Sequence, residues 1–130
     1  MKIQNLLKTG LIAGVVVAIL NVTIYLISKG TGIISDTILL AGGEPLTLFP
    51  VVISSVLPGV VASLLLWGIS KYSANPMRIF SVIGWVFLVI SMGGPFSAPG
   101  LPAGMRISLA LMHIVAGVII IYLLTRKTVK

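Results

Sequence analysis

Four apolar runs divide the chain, each interrupted every three or four residues by a small or weakly polar side chain. They extend from about Gly10 to Ile27, Leu46 to Ile69, Ile79 to Phe96 and Ile107 to Leu124. Crossing about 30 Å of hydrocarbon takes about 20 apolar residues in a helix, which each run supplies or nearly supplies. The pattern predicts an all-α membrane protein, a four-transmembrane-helix bundle forming one domain over residues 1–130, with spans at about 10–28, 46–70, 79–96 and 106–124. The first run is longer than a signal-peptide core and lacks a clear small-x-small site before Lys29, so a retained helix is expected.

Lipid offers no hydrophobic drive for helix association, so small residues mark the faces where helices meet. The first span carries Gly10, Gly14, Ala18, Asn21, Tyr25 and Ser28 at such spacing, and the second Ser55, Gly59, Ala62 and Ser63. In the third, Ser81, Gly84, Ser91 and Pro95 share a side; in the fourth, Ala110, His113, Ala116 and Gly117 do, with Ser108 near the start. These faces serve either packing within one bundle or a homo-oligomer. Pro58 interrupts the second span and takes the usual partner from the Ser54 carbonyl, and Ser54 and Ser55 are placed to satisfy freed backbone groups.

The connections differ. Lys71 to Arg78 is tight, with Asn75 and Pro76 as turn residues. Thr31 to Pro45 is longer and apolar at Ile33, Ile34, Ile38, Leu39 and Leu40, a pattern that predicts a short interfacial helix. Gly93 to Gly104 is rich in Gly and Pro and is expected to be irregular.

Charge fixes the expected orientation. Lys2, Lys8, Lys71, Arg78, Arg126, Lys127 and Lys130, seven of the nine basic residues, fall on the side of the termini, which the positive-inside rule places in the cytoplasm. Lys29, Arg106 and both acids, Asp36 and Glu44, fall on the other. At 58% hydrophobic and 8% charged residues, against about 25% charged in soluble domains, the chain belongs in lipid. The net charge of +7 comes from residues scattered at span ends, which suits headgroup contact and excludes a nucleic-acid partner. Trp67, Tyr72 and Tyr122 read as interface anchors, and the deeper Trp85 as packing. With no cysteine, thiol chemistry and Cys-ligated metals are excluded, and no metal constellation, cofactor motif, phosphate loop or catalytic group is recognisable.

Ionisable groups inside a membrane are costly and often functional. His113 is the candidate here, seven residues and so about 10 Å below Arg106 on the same helical face. Asn21 lies at a similar depth in the first span. A hydrogen bond between Asn21 and His113 would make both buried polar glue; alternatively Arg106, His113, Asn21, Tyr25 and Glu44 surround an outward-facing polar pocket for a small molecule, a lipid or a partner protein. Arg106 also has Glu44 and Asp36 as candidate ion-pair partners. The rival readings are an oligomeric small transporter or channel and, further off, a haem-binding or other membrane enzyme using His113; a proton-coupled exporter lacks its acid within a span.

The stretches PLTLFPVVISSVLPG at Pro45–Gly59, RIFSVIGW at Arg78–Trp85, GGPFS at Gly93–Ser97 and RISLALMHIVAG at Arg106–Gly117 together resemble a family of small four-span prokaryotic membrane proteins catalogued as a domain of unknown function. The resemblance implies a four-helix bundle in a bacterial or archaeal plasma membrane and supplies no activity.

Overall fold

The computed structural model describes residues 1–40 and 42–127, the last of these for its backbone only. The chain is all-helical: α1 (Ile3–Gly30), α2 (Leu48–Tyr72), α3 (Pro76–Ser91), α4 (Gly93–Ser97) and α5 (Ala103–Lys127). Among the described residues four stretches are long and apolar enough to cross a membrane, namely α1, α2, α3 together with α4, and α5. The helices overrun the apolar runs because Lys, Gln, Leu and Arg are good helix formers and continue the backbone bonding past the hydrocarbon.

Proline sets several of the boundaries. Pro50 stands in the first turn of α2 and Pro76 opens α3, positions where a missing N–H removes no helical bond. Pro95 cannot donate to the carbonyl of Ser91, the last residue of α3, so the third span breaks there and resumes as the short α4. Pro58 lies inside α2. Both neighbouring hydroxyls donate to the Val51 carbonyl, at 3.3 Å from Ser54 Oγ and 2.6 Å from Ser55 Oγ, and neither turns to the carbonyl that Pro58 leaves without its partner.

The small-residue stripe of α1 is buried throughout, from Gly10 and Gly14 through Ala18, Asn21 and Tyr25 to Ser28. It packs mainly against α2, and the two backbones nearly touch. A Cβ added at Gly59 would lie 2.3 Å from the Gly10 carbonyl oxygen, and one at Gly14 2.8 Å from Val56 Cα. Ser63 Oγ sits between the helices and reaches the Leu6 carbonyl at 2.8 Å and that of Gly59 at 2.9 Å. On its other flank α1 meets α5, and α5 in turn holds α3 through reciprocal insertions. Ile121 fills the space over Gly84, and Leu88 that over Gly117. No Cα of α3 comes within 8 Å of α1, so α3 is the outlying helix.

Two apolar clusters result. One, toward the termini, contains Leu6, Val17, Leu66, Phe80, Ile120 and Leu124. The other, toward the long loops, contains Tyr25, Ile34, Leu46, Val51, Leu101, Met105 and Met112. Outward-facing side chains are apolar along the spans, as at Phe87, Val89 and Ile90 of α3, and suit acyl chains rather than water. Trp85 is 47% exposed among them, so it faces outward and is not the packing residue its depth suggested.

The interfacial helix expected between Thr31 and Pro45 does not form among the described residues. The segment holds turns and one antiparallel bridge, Leu39 to Pro45. Gly43, at φ +80°, lets the chain reverse, and the turn is closed by Gly43 N–H to the Leu40 carbonyl and Leu40 N–H to the Glu44 carbonyl. The physical reason is burial: Ile34 is 1% exposed and, with Ile38 and Leu40, completes the upper cluster, leaving no continuous apolar face for a headgroup layer. The second loop departs the other way, since its first five residues, Gly93–Ser97, are the helical α4.

Candidate functional site

The buried face of α1 carries a file of polar groups into the loop half of the bundle, at Asn21, Tyr25 and Ser28, spaced four and three residues apart. Asn21 is 5% exposed and joins three helices. Its Nδ2 donates to Ser55 Oγ of α2 at 3.1 Å and to the Met112 carbonyl of α5 at 3.4 Å. Its Oδ1 is buried and has no partner. Exchanging the amide's two ends would set an oxygen against the Met112 carbonyl, so the network itself fixes which end is unpaired.

One turn on, the Tyr25 hydroxyl donates to the Leu46 carbonyl at 3.2 Å, tying α1 to the chain just before α2. Lys29 Nζ donates to the same hydroxyl at 3.3 Å and pairs with Asp36 at 3.2 Å. Ser28 and Ser108 hydroxyls meet at 3.2 Å, linking α1 to α5. The file therefore runs from the Lys29 and Asp36 pair at the surface to the unpaired Asn21 oxygen within.

Arg106 and His113 belong to a different face. Arg106 donates from Nε to the Leu101 carbonyl at 2.9 Å, from Nη1 to that of Phe96 at 3.0 Å and from Nη2 to that of Ala98 at 3.1 Å. It clamps the end of α4, where carbonyls lack helical partners and a cation is favoured. It pairs with neither Asp36, which Lys29 holds, nor Glu44, whose exposed side chain joins none of these contacts. His113 is half-buried, with Nδ1 2.7 Å from the Leu109 carbonyl. A carbonyl only accepts, so Nδ1 bears a proton and donates to it. One turn below His113 is Gly117, packed on Leu88, which places the stripe of Arg106, His113, Gly117 and Ile121 on the α3 and α4 side.

The expected Asn21 to His113 bond is thus absent, and the five expected residues do not converge. Asn21 and Tyr25 share one centre, Arg106 and His113 lie on the far side of α5, and Glu44 stays in the loop. Ser55, Lys29 and the Ser28 and Ser108 pair are the members that sequence reasoning left out of the site. Ser28 and Ser55 had a signal, since both lie on small-residue faces, and Ser108 stood near the start of its span, but the pairing across helices had none. Among the described residues no three His, Cys, Asp or Glu side chains gather in a metal-binding group.

No curated protein and no solved structure matches the chain. The model of one family matches it from residue 1 to residue 130, and this four-helix membrane protein belongs to that family, the family of unknown function DUF6069.

Proposed function

We propose that the protein is a non-enzymatic membrane binding protein whose polar centre around Asn21 and Tyr25 takes a small molecule or lipid bearing a hydrogen-bond donor. The observation that carries this reading is the Asn21 Oδ1, buried and unpartnered between three helices. Buried polar atoms are nearly always paired, and an unpaired one in a native fold asks for an explanation. A hydroxyl, ammonium or amide N–H supplied by a ligand is a matching partner. The neighbouring hydroxyls do not supply that donor: Ser55 Oγ already gives its proton to Val51, and the Tyr25 hydroxyl gives its own to Leu46. The Met112 contact, at 3.4 Å the longest Asn21 makes, is the joint that yields when a ligand enters.

The rival reading, an oligomeric transporter or channel, relied on small-residue faces to pair the copies. Gly10, Gly14, Gly59 and Ser63 are occupied between α1 and α2, and Gly84 and Gly117 between α3 and α5, so the geometry favours binding within one chain.

Native mass spectrometry of the protein extracted with its own lipids tests the proposal. Wild type carries an adduct above the lipid background, and Asn21→Leu, folded to the same extent, loses it. Identical adduct spectra for the two would overturn the reading.

A further inference from the structure

Toward the termini, α2 and α3 part around an open groove of about 590 Å³. Leu64, Leu65, Gly68 and Ile69 of α2 form its length, Ile79 of α3 its opposite wall, and Tyr72 stands at its mouth. Gly68 keeps the floor open, since no atom lies within 4 Å of the place a Cβ would take. From Leu64 to Tyr72 the groove follows about 12 Å of helix, enough for the upper part of one acyl chain.

The charge at the mouth says which lipid fits. Arg78, next to Ile79, is exposed and has no hydrogen bond or ion pair with any described residue. Lys71 follows Leu64 by seven residues and so shares its face; it is exposed, with Nζ 3.6 Å from the centre of the Trp67 ring, a contact that leaves its N–H donors free. Tyr72 is 92% exposed in the groove lining. Both acids of the chain, Asp36 and Glu44, lie in the loop between α1 and α2, at the other end of the bundle. Tyr72 thus lines the apolar groove, Arg78 and Lys71 adjoin its lining residues along the chain, and no acidic side chain of the described residues lies at that end of the bundle.

We propose that this groove is a binding site for an anionic phospholipid, with one acyl chain along α2 and the phosphate held by Arg78 and Lys71. The proposal is independent of the Asn21 centre. A basic side chain near a membrane surface contributes about 1 kcal/mol to anionic-lipid attraction, so the pair gives a preference of about tenfold or more for an anionic over a zwitterionic headgroup.

The test is lipid retention by native mass spectrometry, after release from nanodiscs holding equal phosphatidylglycerol and phosphatidylcholine. Wild type retains phosphatidylglycerol at least about tenfold over phosphatidylcholine. Arg78→Gln lowers that preference several-fold, while Lys8→Gln, the same charge change at the same end but away from the groove, leaves it unchanged. Gly68→Leu fills the floor and removes the retained lipid whatever its headgroup. If Gly68→Leu fails to fold, Ile79→Trp narrows the groove from its other wall and is read the same way. Equal retention of the two lipids, equal losses in Arg78→Gln and Lys8→Gln, or full retention in the filled groove would each overturn the proposal.

Discussion

An amide oxygen without a partner in a bundle core leaves about 1–3 kcal/mol of desolvation uncompensated, and Asn21 makes only two modest bonds in return. Asn21→Leu, nearly equal in size, removes the unpaired oxygen with the bonds. In ligand-free protein it is expected to leave stability unchanged or raise it by about 1 kcal/mol, measured by reversible unfolding in mixed micelles. Arg106 behaves oppositely, because its three bonds need a planar fork. Arg106→Lys keeps the charge, yet it is expected to cost about 1–3 kcal/mol and to speed hydrogen exchange across Ser97–Leu101. At this scale the sequence was half legible. Counting residues from the span ends set Asn21 and His113 at similar depth, but depth says nothing about which way a side chain points around the helix. That direction depends on which neighbour each face meets, and the one small-residue face read on α5 could not be assigned to α1 or to α3 without the partners.

The glycines separate into those that let helices touch and those that do not. A Cβ at Gly59 would meet the Gly10 carbonyl oxygen at 2.3 Å, so Gly59→Ala must push α1 and α2 apart, at an expected cost of about 3 kcal/mol. Gly68→Ala, on the same helix with open space around it, is expected to be neutral or to stabilise by up to about 1 kcal/mol. Unfolding the two variants side by side checks both figures. The elements were the most legible level of this chain. Apolar runs of membrane length define the spans whatever surrounds them, and the α1 stripe could be named residue by residue because its periodicity is uninterrupted. The loops resisted, and for a definite reason. Ile34, Ile38 and Leu40 look alike whether they sink into headgroups or fold back on the bundle, and the choice falls to the upper cluster, which exists only once all the helices are assembled.

Across the whole molecule the sorting of basic residues predicts that the end bearing the termini faces the cytoplasm. The natural absence of cysteine makes that simple to check. A single cysteine at the exposed Thr37, in the loop between α1 and α2, is expected to react with a membrane-impermeant maleimide on intact cells. One at the exposed Ala74, between α2 and α3, is expected to react only after lysis. The reverse pattern would invert the assigned orientation.

The near-contact of α1 and α2 has a consequence for how the protein is made. The tightest interface in the chain joins its first two long helices, through Gly10, Gly14, Gly59 and Ser63, and a loop that folds back on itself. Those groups are all synthesised before α3 begins, so a closed helical hairpin can leave the insertion machinery while the rest is still being translated. The α1 and α5 contact, by contrast, waits for the last helix. A truncated chain ending at Ser73 and inserted in lipid should therefore already protect α1 and α2 from exchange, whereas one ending at Ser97 should leave α3 unprotected, its Gly84 socket open until Ile121 arrives.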